Sequence, residues 1–392
     1  MCKKLLVISP FTAYKNIKHA GGKIHFYYLS KLLDKYDITI ISSAYEKERK
    51  DISDSIINVN TKYIYFIPQI QSIWRKIKIF YWTRNPFDKY AGFQNYDLQH
   101  FLYKTAKKLQ RQLYTPDVVI LDWTQSIFLS KKIKKLFPYS TIIGIEQDVT
   151  YLKYRRFIDN STNFIKKQIN KLKYINIKHS ELESLKNTNQ IITLNNKDTD
   201  LLKSDLHNNI QIKTIVPYFD NYFHVVRKNI NMNIIYYGAM SRPENYESAI
   251  WFINNVLPKL PNNFKFIIIG NSPAKELIKY ANNRVEITGF VQDISLYFES
   301  SLCFAAPIVM GAGIKIKILE AMSAGITVIT NDIGIEGIPA VNNKDYIHCT
   351  SADEFAREIL KLSNDKEKNI TIGNNAKLFI QNNFNYMNCS YI

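Results

Sequence analysis

The stretch from Cys303 to Gly337, CFAAPIVMGAGIKIKILEAMSAGITVITNDIGIEG, constrains the fold more than any other part of the chain. It reads as a buried strand, a glycine-rich turn, a helix, a second buried strand and another glycine turn, the repeating unit of a parallel β/α sheet. The turn is Gly311-Ala312-Gly313-Ile314, and the helix predicted after it carries Lys315, Lys317 and Glu320 within two turns. Small residues let a ligand approach the backbone, and the first amides of a helix point outward without intrahelical partners. Together with the helix dipole they favour an anion, and Lys315 would add a full charge. Glu320, about 1.4 turns beyond Lys315, suits hydroxyls beside that anion, as a ribose would offer. The local pattern leaves two readings open, this one and the tight turn of an ordinary βαβ unit, because glycine turns before helices are common.

The same rhythm runs along the whole chain. Lys4–Ser9 reads as a strand, followed by a loop ending in Gly21-Gly22, a helix over Lys23–Tyr36 and a strand at Ile38–Ile41. Tyr63–Ile67, Asp117–Leu121, Thr141–Ile145, Gln190–Leu194 and Ile212–Val216 continue the strands, and Val149–Leu185 reads as mostly helical. Gly21-Gly22 lacks the GxGxxG of a dinucleotide site and is equally a helix-entry turn. Pro217 to Asn231 has no periodicity and is taken as the boundary. The rhythm then restarts with strands at Asn233–Tyr237, Phe264–Ile269 and Val285–Thr288 and a helix from about Pro243 to Val256. The expectation is an α/β protein of two Rossmann-like domains, 1–217 and 218–383, facing across a cleft, with a tail at 384–392. The C-terminal helix is expected to cross back to the first domain.

Length supports two domains, since 392 residues exceed one typical core. Only four apolar residues follow Lys3-Lys4 before Ser9-Pro10, too few for a signal-peptide core, and no run reaches a membrane span. Four scattered cysteines form no metal or disulfide spacing, which points to a reduced, cytoplasmic protein. Charge is uneven. Residues 1–220 hold 36 Lys and Arg against 19 Asp and Glu, a net +17, while the remainder holds 16 against 15. A basic half beside a neutral one suggests a negative partner surface, although AT-rich coding also raises lysine content. Within the basic half, QIQSIWRKIKIFYWTRNPFDKYAGF places Ile70, Ile73, Trp74, Ile77 and Tyr81 on one helical face. That face fits either a membrane interface or the domain core.

Four blocks of the second half then carry a family resemblance: IIYYGAMSRPENYESAIWFINNVLP, FKFIIIG, VEITGFVQDISLYF and APIVMGAGIKIKILEAMSAGITVITNDIGIEGI. In this order they resemble the retaining GT-B glycosyltransferases of family 4, the group 1 glycosyl transferases, over about residues 233–383. IGIEQDVTYLKYRRF resembles the family's first-domain segment more loosely. The resemblance implies that Glu320 is the second glutamate of a Glu-x7-Glu motif and binds the ribose. The first glutamate falls on Ala312, so the chain is similar to the subgroup with a Gly-rich turn, with Gly311, Gly313 and Lys315 at the first Gly, third Gly and Arg. Amides of Gly313, Ile314 and Lys315 would hold the diphosphate, with Arg242 as the only nearby cation and Asn245 at the helix-entry position. The family histidine falls on Gln147. Lys315, Gln147 and Arg242 are the implied catalytic groups, and Gly21, Gly22 and Glu336 are further donor-site candidates. Glu146 and Asp148 are candidates for the acceptor side, though Asp148 equally suits a helix cap. Lys317, about 200° around the helix from Lys315, is expected to be solvated or salt-bridged.

The implied reaction moves a sugar from a UDP- or GDP-sugar to an acceptor hydroxyl with retention. It needs no cofactor and no metal, because fixed cations and helix amides are expected to replace a metal held by an Asp-x-Asp motif. A glycan or lipid-linked acceptor, an anionic membrane surface and a peripheral position on the inner face of the cytoplasmic membrane are expected, as in capsule or lipopolysaccharide assembly. No recognition motif points to nucleic acid. A GT-B sugar-nucleotide epimerase and a non-catalytic sugar-nucleotide scaffold are the alternatives.

Overall fold

A computed structural model describes residues 2–59, 61–68, 73–159, 161, 163–207 and 210–392. The chain divides into two compact units, Met1–Tyr218 with Cys389–Ile392, and Phe219–Asn388.

The first unit is built on a sheet of β1 (Lys3–Ile8), β2 (Tyr36–Tyr45), β3 (Thr61–Ile67), β4 (Val118–Asp122), β5 (Thr141–Glu146), β6 (Gln190–Thr193) and β7 (Gln211–Thr214). Their order is β3-β2-β1-β4-β5-β6-β7, all parallel. The central strands LLVI, VVIL and IIGI are buried on both faces, as parallel strands covered by helices must be. The helices are α1 (Ala20–Ser30), α2 (Arg49–Ser55), α3 (Ile73–Arg84), α4 (Tyr96–Arg111), α5 (Trp123–Ile127), α6 (Ser130–Leu136), α7 (Thr150–Asp159), α8 (Phe164–Leu185) and α9 (Asn196–Leu206).

The second unit repeats the plan with β8 (Asn233–Tyr237), β9 (Lys265–Ile269), β10 (Val285–Gly289), β11 (Cys303–Ala306), β12 (Val328–Thr330) and β13 (Ile347–His348), in the order β10-β9-β8-β11-β12-β13. Its helices are α10 (Pro243–Asn255), α11 (Lys275–Ile278), α12 (Ser295–Ser300), α13 (Ile316–Ser323), α14 (Ala352–Asn364) and α15 (Lys366–Asn383). Each sheet reverses its strand order beside its first strand, between β1 and β4 and between β8 and β11. In open parallel sheets ligands bind beyond the carboxyl ends of the strands at that reversal.

Past α15 the chain returns to the first unit. There the Lys31 ammonium donates to the Cys389 carbonyl at 2.9 Å, Lys213 donates to the Ser390 carbonyl at 3.1 Å, and Tyr391 stacks on Tyr28 with centroids 4.9 Å apart.

Several local expectations need correction. Gly21-Gly22 is the first turn of α1, not the loop before it, because His19 caps that helix by accepting the Gly22 N–H at 3.0 Å. The helical stretch at 149–185 is two helices, α7 and α8. The proposed core stripe on α3 does not exist, since no residue of that helix is buried and Ile73, Trp74 and Tyr81 are exposed by 67–81%. Ile70, read as part of the same face, lies outside the described residues. The sequence also holds an Asp-x-Asp triplet, Asp198-Thr199-Asp200. It lies in the first turns of α9, where Asp198 is buried and its N–H donates to the capping Asn195 side chain at 2.8 Å, while Asp200 is exposed. Residues two apart on a helix point to different sides, so the two carboxylates do not converge on one ion.

Candidate functional site

In the second unit the residues singled out by sequence gather at the carboxyl ends of β8 and β11. The turn after β11 needs its glycines, because Gly311 (φ +135°) and Gly313 (φ +68°) lie where side-chain-bearing residues are strained. Helix α13 starts at Ile316, and Lys315 is its N-cap with extended backbone (φ −94°, ψ 95°). The Lys315 ammonium folds back to donate to the Gly313 carbonyl at 2.6 Å and lies 3.6 Å from the Glu336 carboxylate, which is buried. Lys315 and Glu336 thus meet at the turn, as a charged pair bracing the backbone that would hold an anion.

Glu320 projects from α13 toward β8, is largely buried, and accepts a hydrogen bond from the Tyr237 hydroxyl. That hydroxyl also reaches the Lys317 carbonyl at 3.2 Å. Burial and the neighbouring Glu320 carboxylate keep the Tyr237 phenol protonated well beyond its usual range. Tyr237 therefore orients the Glu320 carboxylate at the end of β8. Nothing in local spacing signals this pairing, which joins residues 83 positions apart.

Lys317 is where the structure departs most from expectation. It is half-buried, and its ammonium donates to Asn245 Oδ1 at 2.5 Å and to the Tyr236 hydroxyl at 3.2 Å, over whose ring it sits at 4.6 Å from the centroid. Asn245, in the first turn of α10, is fixed in turn by donating to the Ala239 carbonyl at 2.9 Å. Gly238 makes room, since a Cβ there would lie 2.8 Å from the lysine nitrogen. Burial first, then the neighbouring Arg242 cation, brings the Lys317 ammonium down to about 7. The rotation argument that kept Lys317 away from Lys315 fails because Lys315 precedes the helix. Arg242 itself is the N-cap of α10, is well exposed, and pairs with Glu244.

In the first unit the strand ends at β1, β4 and β5 bring together a separate polar cluster. Gln147 Nε2 donates to Asp122 Oδ1 at 3.2 Å and to the Gly21 carbonyl at 3.4 Å, and His25 Nδ1 lies 2.5 Å from Asp122 Oδ2. Trp123 adopts φ +65°, rare for a bulky residue, and packs edge-on to Phe11 with centroids 4.8 Å apart. Gly21 is needed for this close approach, because a Cβ would lie 2.3 Å from the Trp123 ring and 2.8 Å from Gln147 Oε1. Gly22 sits against Ile17 and His19. His25 and Trp123 carry no sequence signal beyond a place in predicted elements. Asp148 is exposed and near the Arg156 guanidinium.

Glu146, expected on the acceptor side, has a fully buried carboxyl. It accepts from Thr124 Oγ1 at 2.9 Å and neighbours the equally buried Glu181, which accepts the N–H groups of Thr150 and Tyr151 at 2.8 and 3.1 Å. It can serve the surface only indirectly, by fixing the start of α7.

The paired sheets with this strand order define the GT-B class. Solved structures agree: HepE of Anabaena, in complex with UDP, superposes with a TM-score of 0.68 at 13% identity, covering 98% of this chain and 96% of that one. Sucrose-phosphate synthase of Thermosynechococcus elongatus gives 0.68 at 12%, with the same coverage. Residues 231–365, most of the second unit, match the family described as Glycosyl transferases group 1. An uncharacterised 44.6 kDa protein in the cps region of Klebsiella pneumoniae is 29% identical over 166 residues, which are 39% of this chain and 43% of that protein.

Proposed function

We propose that the chain is a retaining glycosyltransferase that moves a sugar from a nucleoside-diphosphate donor to an acceptor hydroxyl. The observation that carries the reading is the second-unit cluster. A glycine turn braced by Lys315 lies beside Glu320, and Tyr237 holds that carboxylate ready for a diol. The hard step is departure of the nucleoside diphosphate from an oxocarbenium-like sugar. Donors already in place around the leaving phosphate contribute several kcal/mol, about 2.7–4 for one such donor. The amides of Gly313, Ile314 and Lys315, with the Lys315 charge, take that role, and Arg242 is an outer cation. HepE has been solved with UDP-glucose, which supports UDP over GDP as the first donor to try. In the first unit Gln147, anchored by Asp122, is the group offered to a sugar hydroxyl.

A thermal-shift panel of UDP, GDP and their sugar conjugates tests the reading. A ligand at about 100 times its dissociation constant stabilises by about 2.7 kcal/mol, and no shift with any of them would end the proposal. Glu320→Ala should weaken binding of the stabilising diphosphate by about 10- to 100-fold through loss of the ribose contact. The corresponding monophosphate should weaken equally, because the contact is to the ribose. A loss confined to the diphosphate would contradict the assigned role.

The acceptor is proposed to be a glycan on a lipid carrier at an anionic membrane, in surface-polysaccharide assembly, which accords with the cps-region relative. No helix among the described residues is long and apolar enough to cross a membrane. Support comes instead from α3 and α8. Ile73, Trp74, Ile77 and Tyr81 of α3 are exposed among Lys76, Lys78 and Arg84, and Phe164 and Ile165 of α8 are exposed beside Lys166 and Lys167. The two helices are tied where the Lys173 ammonium donates to the Thr83 carbonyl at 2.8 Å. Apolar anchors with adjacent cations fit an anionic interface, at about 1 kcal/mol per basic residue. The protein should float with anionic liposomes and not with neutral ones, and Trp74→Glu should abolish flotation. Equal, negligible recovery with both liposomes would overturn the membrane assignment.

A further inference from the structure

We infer that Lys317 is a second diphosphate-binding cation of the donor site, delivered from α13 into the place beside Gly238 at the end of β8. The inference rests on the glycosyltransferase reading and deepens it. Among the described residues Lys317 makes hydrogen bonds only to neutral groups, Asn245 and Tyr236, and no carboxylate pairs with it. A desolvated cation with no carboxylate in contact is costly unless an anion completes the site.

The surroundings sharpen the argument. Facing the ammonium are Tyr236 from β8, Arg242 and Glu244 at the start of α10, and Lys315 and Glu320 from the α13 segment. Glu244 pairs with Arg242 and Glu320 accepts from Tyr237, so both act on the ammonium from a distance and neither touches it. Lys315 is likewise paired with Glu336, so of these three cations Lys317 is the one with no carboxylate in contact, and it lies at the sheet reversal where ligands bind. The residue at 245, which could have been a partner acid, is an amide that orients the ammonium without neutralising it. Asn245 and Gly238 are thus explained together: one aims the lysine and the other leaves it space.

Without ligand the ammonium sits at about 7. A phosphate oxygen at hydrogen-bond distance favours the charged form, so at pH 8 binding should draw a proton from solution, approaching one per site. A Lys317 that merely packs would show no such uptake.

The test is calorimetry of UDP and GDP binding to the full chain at about pH 8 in buffers of different ionisation enthalpy, for wild type and Lys317→Met. Wild type should take up a proton; the variant should not, and should bind the diphosphate about 10- to 100-fold more weakly while its affinity for uridine or guanosine stays near that of wild type. Should Lys317→Met not fold, Asn245→Asp supplies the missing carboxylate. It is expected to weaken diphosphate binding and abolish proton uptake with the lysine intact. Diphosphate binding by wild type with no proton uptake, or unchanged affinity in the folded variant, overturns this inference alone. A wild-type protein that binds neither diphosphate overturns the donor reading and this inference with it.

Discussion

Lys315→Ala should lower turnover by about 10²- to 10³-fold at saturating donor, the cost of removing one preorganised donor to a developing oxyanion. Lys315 has two jobs in the geometry. Its ammonium clips onto the Gly313 carbonyl and, with Glu336, holds the turn whose amides would cradle the phosphates. Once the donor is bound, the same charge stands beside the leaving phosphate. The first job predicts a modest loss of stability, about 1 kcal/mol for the hydrogen bond, plus a penalty for the buried Glu336 carboxylate. Lys315→Arg should keep the charge but misfit the clip, giving an intermediate turnover. Steady-state rates at several donor concentrations decide between the jobs. A fall in kcat with little change in KM marks an interaction made in the transition state, while a rise in KM alone marks ground-state binding. Turnover within about twofold of wild type would overturn the assignment.

What could be read from sequence divides by range. The positive-φ turn at Gly311 and Gly313 and the β/α rhythm are local signals, and the fold follows from them because strands buried on both faces must be apolar throughout. Spacing within one element marks Glu320, while Arg242 is marked only by the family resemblance. The polar groups that complete the site come from chain-distant partners. Tyr237 reaches Glu320, Asn245 reaches Lys317, and His25 and Gln147 both meet Asp122, each across 25 or more residues. No periodicity encodes such meetings. The expected solvated or salt-bridged Lys317 fails for a definite reason: a two-residue spacing means opposite faces only if Lys315 is helical, and the extended backbone at Lys315 removes that geometry. The exposed apolar side of α3 was ambiguous because an amphipathic stripe looks the same whether it meets a core or a bilayer.

The stability of the first unit should fall as pH rises from about 5 to about 8, and Glu146→Gln should flatten that dependence. Glu146 and Glu181 are fully buried side by side, with Glu181 taking two amide N–H groups at the start of α7. Glu146 Oε1 has no hydrogen-bond donor in reach, as expected of a carboxyl that carries the proton and gives it to its neighbour. Burial, followed by the Glu181 charge, drives Glu146 well above the usual carboxylate range, and burial pushes Glu181 up to about 8. The folded state therefore keeps protons that the unfolded chain, titrating near 4.5, has already released. Through that window each such proton costs about 1.4 kcal/mol of stability per pH unit gained. Glutamine keeps the neutral donor without the titration, so Glu146→Gln should match wild type near pH 5 and exceed it at pH 8. In the second unit the sign reverses above about 7, where the unfolded chain holds the Lys317 proton that the folded site gives up, so stability there rises with pH until a bound diphosphate restores the proton. Tryptophan fluorescence during urea unfolding follows the first unit, because Trp74, Trp82 and Trp123 lie in it and only Trp251 lies in the other. A first-unit midpoint that is flat or rises between pH 5 and 8, or an equal slope in Glu146→Gln, would show that the buried pair does not hold the extra proton.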